Sequence, residues 1–138
     1  MGDDGAGPHV ISILSENQKL NADLLCLDTP GFSLLTYTIE RQKVIVVDAA
    51  QFDAPPGTVE RVTRGQVMEQ KTSGLSLHDA DPFAVFDQAK RLGLAPQELV
   101  VYAIRFETIT PRRGLSPSVE AGAQRAADLI AQEVSFDA

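Results

Sequence analysis

The apolar residues of this chain fall into short unbroken runs, separated by stretches that repeat every three or four residues. That alternation constrains the fold more than any other feature. Val44-Ile45-Val46-Val47 is an uninterrupted β-branched run that stops at Asp48, and Leu99–Phe106 carries Val100, Val101, Tyr102, Ala103 and Ile104 without a break. A strand with one face in water alternates apolar and polar residues, whereas a strand apolar at every position has both faces covered, as in α/β sheets. Ala22–Leu27 reads the same way, with Leu24, Leu25, Cys26 and Leu27 ahead of Asp28. Thr58–Val62 alternates instead, with Val59 and Val62 around Glu60 and Arg61, after a turn containing Pro55, Pro56 and Gly57. It is expected to add an antiparallel strand.

Helical patterns lie between these runs. Gly7–Leu20 carries Val10, Ile11, Ile13 and Leu14, with Pro8 in the first turn, where its missing N–H is not needed. Phe32–Ile39 reads as a shorter helix rich in β-branched residues. Asp81-Pro82 is a cap and first-turn pair for a helix to about Leu92, and Phe83, Phe86 and Ala89 give it an apolar face. Ser116-Pro117 repeats that signal for a helix to about Val134, with Val119, Ala123, Ala126, Ile130 and Val134 spaced by threes and fours. The order helix, strand, helix, strand, strand, helix, strand, helix implies an α/β fold. The expected form is a three-layer α/β/α sandwich with a mostly parallel, mixed twisted sheet, built as a single domain over residues 1–138.

Composition narrows the function classes. The net charge of -7 disfavours nucleic-acid phosphates and favours cations or a basic partner segment. No apolar run approaches the roughly 20 residues of a membrane helix, and the acidic start at Asp3 and Asp4 is unlike a signal peptide, so neither membrane nor nucleic acid is expected as a partner. One cysteine, Cys26, excludes an intramolecular disulfide, and its apolar strand reads as core. The expected address is the cytoplasm.

In open α/β sheets, sites form beyond the carboxyl ends of the strands. Asp48 stands there, and by position it is equally a cleft acid or an acid capping the next turn. Asp3 and Asp4 lie between glycines at a helix entrance, where a cap is the commoner role. Two adjacent acids allow one to cap while the other points into the cleft. Gly5 and Gly7 do not complete a phosphate-binding motif. His78 lies in the loop Ser73–Asp79 before the helix start at Asp81. Alone it reads as a solvated histidine; with two carboxylates it would form an open site suited to nickel or zinc. His9 falls on the first helical turn, as a surface or supporting residue. Asp28 also ends a run, ahead of Thr29-Pro30-Gly31, and reads as a turn acid bordering the cleft. No Gly-x-Ser-x-Gly elbow is present.

Together these segments resemble the nickel-iron hydrogenase maturation endopeptidases. Gly2-Asp3-Asp4-Gly5-Ala6-Gly7-Pro8 is similar to that family's opening acid pair and Gly-x-Gly, and Val44–Ala49 to its central strand and acid. Pro56-Gly57-Thr58 matches the following turn, His78 the family's histidine, and Gly114–Val119 the start of its last helix. The resemblance implies a nickel-dependent peptidase with Asp4, Asp48 and His78 as both metal ligands and catalytic residues. It implies nickel supplied by the substrate, the precursor of the hydrogenase large subunit, from which a C-terminal extension is removed after nickel insertion. A non-proteolytic nickel-sensing or chaperone relative that binds the precursor is the alternative, and an unrelated small-molecule hydrolase or metal-binding protein the third reading. Two departures stand out. Asp28-Thr29-Pro30-Gly31 differs from the family's segment, and the family's first strand, which would feed the glycine turn, has no counterpart ahead of Met1. Without that strand the expectation is that the sheet has a gap, Asp4 loses its anchor, and the working protein starts upstream of Met1.

Overall fold

A computed structural model of the chain describes residues 5–17, 20–26, 41–65, 76–77, 82–107 and 115–134. Its elements are α1 (Ala6–Leu14), β1 (Lys43–Gln51), β2 (Val59–Thr63), β3 (Ser76–Leu77), α2 (Pro82–Arg91), β4 (Glu98–Arg105) and α3 (Pro117–Val134). The strands form one mixed sheet in the order β2-β4-β1-β3. β1 and β4 are parallel, in register from Lys43 opposite Glu98 to Ala50 opposite Arg105. β2 runs antiparallel to β4, as its alternating pattern predicted.

The two apolar runs pair because both have two faces to cover. Ile45, Val47, Ala49, Val100, Tyr102 and Ile104 meet α1 and α3, through Ala6, Val10, Leu14, Val119, Ala123, Ala126 and Ile130. Val44, Val46, Leu99, Val101 and Val62 meet Phe83 and Phe86 of α2 on the other face. Each fully buried Val or Ile is worth about 1.5–3 kcal/mol, so this parallel pair anchors the domain. The result is the expected three-layer α/β fold.

Helix boundaries follow local chemistry. α1 ends at Leu14 rather than Leu20: Ser15, Glu16 and Asn17 are polar, and the chain tightens into i→i−3 bonds, Glu16 N–H to the Ile13 carbonyl and Asn17 N–H to that of Leu14. α2 stops at a glycine with φ +72, Gly93, whose N–H bonds the Lys90 carbonyl while Leu94 N–H reaches that of Ala89. α3 starts at Pro117, as predicted, and its first bond runs from Glu120 N–H to the Ser116 carbonyl at 2.9 Å.

Three expectations are corrected. The described part of Ala22–Leu27 is not a strand, Cys26 is exposed rather than core, and Leu25 is 50% exposed. A strand needs a ladder, and the described segment makes none; Leu24 alone of that run packs against the core. Second, β1 continues past Asp48 to Gln51, because Ala49 and Ala50 are small enough to bury completely and stay paired with Ile104 and Arg105. Third, Ser76-Leu77, expected in a loop, forms a two-residue antiparallel strand on β1. Among the described strands this is the only pairing on that edge of β1, at Ala50 and Gln51. The expected helix Phe32–Ile39, Asp28 and the cap Asp81 lie outside the described residues.

Candidate active site

Asp48 is one of the few buried polar residues among those described, with 7% of its surface exposed. Side chains alternate along a strand, so Asp48 shares the α2 face with Val44, Val46 and Ala50. Val44 and Val46 belong to the cluster around Phe83, and Ala50 to a smaller one with Phe52 and Ala103. The carboxylate therefore lies where the large apolar cluster gives way to alanines, toward the carboxyl ends of β1 and β4. Its Oδ1 accepts the backbone N–H of Ala49 at 2.8 Å. It does not end its strand, since β1 runs on to Gln51.

Two other segments converge on this half of β1. α1 packs against β1 so closely that a Cβ on Gly7 would lie 2.8 Å from the Val47 carbonyl oxygen. Only glycine permits that approach, and it sets the start of α1 beside the residue preceding Asp48. The N-cap position of α1 is Gly5, with no side-chain cap bond. On the opposite edge Leu77 pairs with Ala50, two residues beyond Asp48. Asp4 and His78 themselves lie outside the described residues, as do Asp3 and Asp28. Among the described residues no group of three His, Cys, Asp or Glu gathers to hold a metal. His9 is half-buried on α1.

The carboxyl edge also carries Arg105, which the sequence reading passed over. Its Nε donates to the Phe52 carbonyl at 2.8 Å and its Nη1 to that of Phe106, with the guanidinium 5.3 Å from the Phe106 ring centroid. A charged residue closing an otherwise apolar strand was the available signal.

On the α3 face of the sheet a separate charged group ties α3 to the strands. Glu133 accepts Arg61 Nε at 3.1 Å and Nη2 at 2.8 Å, together with bonds from Lys43 Nζ and the Tyr102 hydroxyl. The Arg61 bonds, followed by those of Lys43 and Tyr102, outweigh burial and hold the Glu133 carboxyl at about 2. Burial and then the Glu133 bond push Tyr102 up to about 12. This group lies on the α3 face of the sheet, opposite the α2 face that Asp48 shares.

A mixed sheet with helices on both faces and a buried acid near the carboxyl edge defines an α/β protein of the open-sheet kind, a class that forms its sites at that edge. Comparison with known proteins specifies the class. The hydrogenase maturation protease family model matches residues 8–133, a span that includes Asp48 and His78. The chain is 31% identical to a hydrogenase maturation protease homologue of Methanocaldococcus jannaschii, over 96% of this chain and 88% of that one. Among solved structures, a hydrogenase 2 maturation peptidase from a Thaumarchaeota archaeon aligns with a TM-score of 0.69 at 29% identity, covering 96% of this chain and 89% of that one. The nickel-iron hydrogenase maturation protease HybD from Thermococcus kodakarensis aligns with a TM-score of 0.75 at 25% identity, covering 98% and 92%. The chain belongs to the hydrogenase maturation protease family, and so to the peptidases. No helix among the described residues is long and apolar enough to cross a membrane.

Proposed function

We propose that this protein is the endopeptidase that removes the C-terminal extension of a nickel-iron hydrogenase large-subunit precursor once nickel has been inserted. Asp4, Asp48 and His78 are the residues assigned to the reaction. The observation that carries the reading is the buried carboxylate of Asp48, in the half of β1 that α1 approaches through Gly7 and that β3 joins through Leu77. Asp4 precedes α1 by two positions and His78 follows Leu77 directly, so the described neighbours of all three residues meet along a few residues of β1.

Carboxylate and imidazole donors suit a borderline divalent ion such as nickel. In this reading the ion arrives as part of the substrate, and Asp4, Asp48 and His78 complete its coordination and fix the precursor against the sheet edge. Nickel so held would supply Lewis-acid polarisation of the scissile carbonyl or an acidified bound water. Asp48 is suited to its part because a strand holds its backbone and the Ala49 N–H orients one oxygen. A site on a rigid strand costs little reorganisation when substrate binds.

The test is incubation of the protein with nickel-loaded and nickel-free precursor, with mass analysis of the precursor's C-terminus. Loss of the extension only from the nickel-loaded form is expected, and Asp48→Asn should abolish it. Binding of the nickel-loaded precursor with its C-terminus left intact would replace this reading with that of a nickel-sensing chaperone.

A further inference from the structure

Arg105 is the half-buried cation among the described residues whose charge no carboxylate balances. Arg41 pairs with Asp23, Lys43 and Arg61 with Glu133 and Glu98, and Arg64 with Asp87. Lys90, Arg91 and Arg125 are exposed to solvent. Arg105 instead has two neutral partners, the carbonyls of Phe52 and Phe106. A guanidinium carries five N–H donors, and these bonds use Nε and one donor of Nη1. Among the described residues the Nη2 pair has no protein partner. A partly desolvated charge is normally paired, so an unmatched one at a site edge favours an incoming anion.

Its position ties that anion to the site. Arg105 is in register with Ala50 and Asp48 with Ala103, so both side chains leave the same face of neighbouring strands. Strands lie about 4.8 Å apart and rise about 3.3 Å per residue, which puts the two Cα atoms about 8 Å from each other. The Arg105 backbone is held as well, with its N–H on the Thr58 carbonyl at 2.9 Å and its carbonyl receiving Gly57 N–H at 2.7 Å. The guanidinium is thus pre-oriented, joining the segment that leaves β1 to the one that leaves β4, with its remaining donors unspent.

We propose that Arg105 is a substrate-binding residue that takes a carboxylate of the precursor extension and so sets where the extension lies relative to Asp48. This rests on the protease reading above. The carboxylate is either an acidic side chain of the extension or its terminal α-carboxylate.

The test compares wild type, Arg105→Gln and Arg105→Lys on three nickel-loaded precursors. These are the native one, one whose extension has every Asp and Glu changed to the amide, and one lengthened by three glycines to displace the terminal carboxylate. Charge-assisted bonds of this kind correspond to about 10- to 100-fold in affinity, so Arg105→Gln should raise KM for the native precursor by about that factor with kcat nearly unchanged. Arg105→Lys should recover part of the loss, since it keeps the charge without the fork. The Arg105→Gln penalty should vanish on the amide precursor if the partner is a side chain, and on the lengthened one if it is the terminus. A penalty equal on all three precursors, or one confined to kcat, would mean that Arg105 only clamps the Phe52 and Phe106 carbonyls, and would overturn the proposal. Thermal melts accompany the assay, and if Arg105→Gln does not fold, Arg105→Lys across the same three precursors decides in the same way. If wild type cuts none of them, the protease reading itself is what fails.

Discussion

Changing Glu133 to Gln should destabilise the protein in a way that depends on pH, and the structure gives the size. The carboxylate is only 14% exposed and receives Arg61 through two bonds, Lys43, and the Tyr102 hydroxyl. Its carboxyl is held at about 2, against an ordinary value of 4.5. At about 1.4 kcal/mol per pH unit that difference corresponds to about 3 kcal/mol. Arg61 and Lys43 are 41% and 31% exposed. Solvent screening of these partners brings the expectation to about 2 kcal/mol. The amide keeps the shape and some bonding, and Glu98, 3.7 Å from Lys43 and 4.0 Å from Arg61, stays to share the cations. The carboxyl is lowered in the folded state, so its contribution is complete above pH 4.5 and is lost as pH falls through about 2. Urea unfolding of wild type and Glu133→Gln at pH steps from 7 to 2 would measure this. The gap should be about 2 kcal/mol at neutral pH and close steadily below about 4.5. A gap that stays constant across that range would show that the effect comes from packing rather than charge. A gap under about 0.5 kcal/mol at pH 7 would show that the network is not stabilising at all.

Other outcomes follow from the same geometry. Tyr102→Phe should flatten the alkaline limb: the folded phenol is raised to about 12, so wild type loses stability between pH 10, where the unfolded chain begins to ionise, and 12, and the Phe variant should not show that slope in alkaline melts. Asp48→Asn should abolish nickel-dependent processing, read by mass of the precursor, while thermal melting stays close to wild type because the amide oxygen can still accept the Ala49 N–H. Gly122→Ala should cost more than Gly93→Ala in thermal melts. A Cβ on Gly122 meets the Gly57 carbonyl oxygen at 2.4 Å, an overpacking worth about 1–3 kcal/mol, whereas Gly93 has open space and bears only the strain of its positive φ, about 1 kcal/mol. Cys26 is exposed and should react with a thiol reagent in the native protein, without denaturant.

What the sequence made legible was set by how locally each element is specified. Val44–Val47 and the run from Leu99 could be read as covered strands because every position is apolar, and α3 because its buried residues repeat by threes and fours. Val59–Thr63 was legible as antiparallel from its alternation and the proline-glycine turn before it. The end of β1 was not, since Ala49 and Ala50 carry little strand preference and pair only because Ile104 and Arg105 lie opposite. The Ser76-Leu77 strand is too short to leave a pattern, and Ala22–Leu27 shows the converse, an apolar run whose described part has no ladder to join. Of the three assigned site residues, Asp48 was singled out because a rigid strand precedes it, and Asp4 and His78 lie outside the described residues. The Glu133 group links residues 31 to 90 positions apart, and no local spacing encodes that.

The position of the candidate site follows from glycine placement more than from any acid. Three close backbone approaches surround the carboxyl half of the β1 and β4 pair. Gly7 lets α1 reach the Val47 carbonyl, Gly57 lies against the Ser118 carbonyl, and Gly122 meets Gly57 from the helix side. A Cβ at any of them would fall 2.2 to 2.8 Å from a main-chain oxygen, closer than real side chains come. The start of α1, the turn before β2 and the first turns of α3 are therefore drawn together by the absence of side chains. The Gly57–Arg105 and Thr58–Arg105 backbone bonds then stitch that turn to β4. On the α3 face of the same sheet Lys43, Arg61 and Glu133 fasten α3 by charge. Asp48 and Arg105 leave the same face of that glycine-drawn end, two strand positions apart on neighbouring strands.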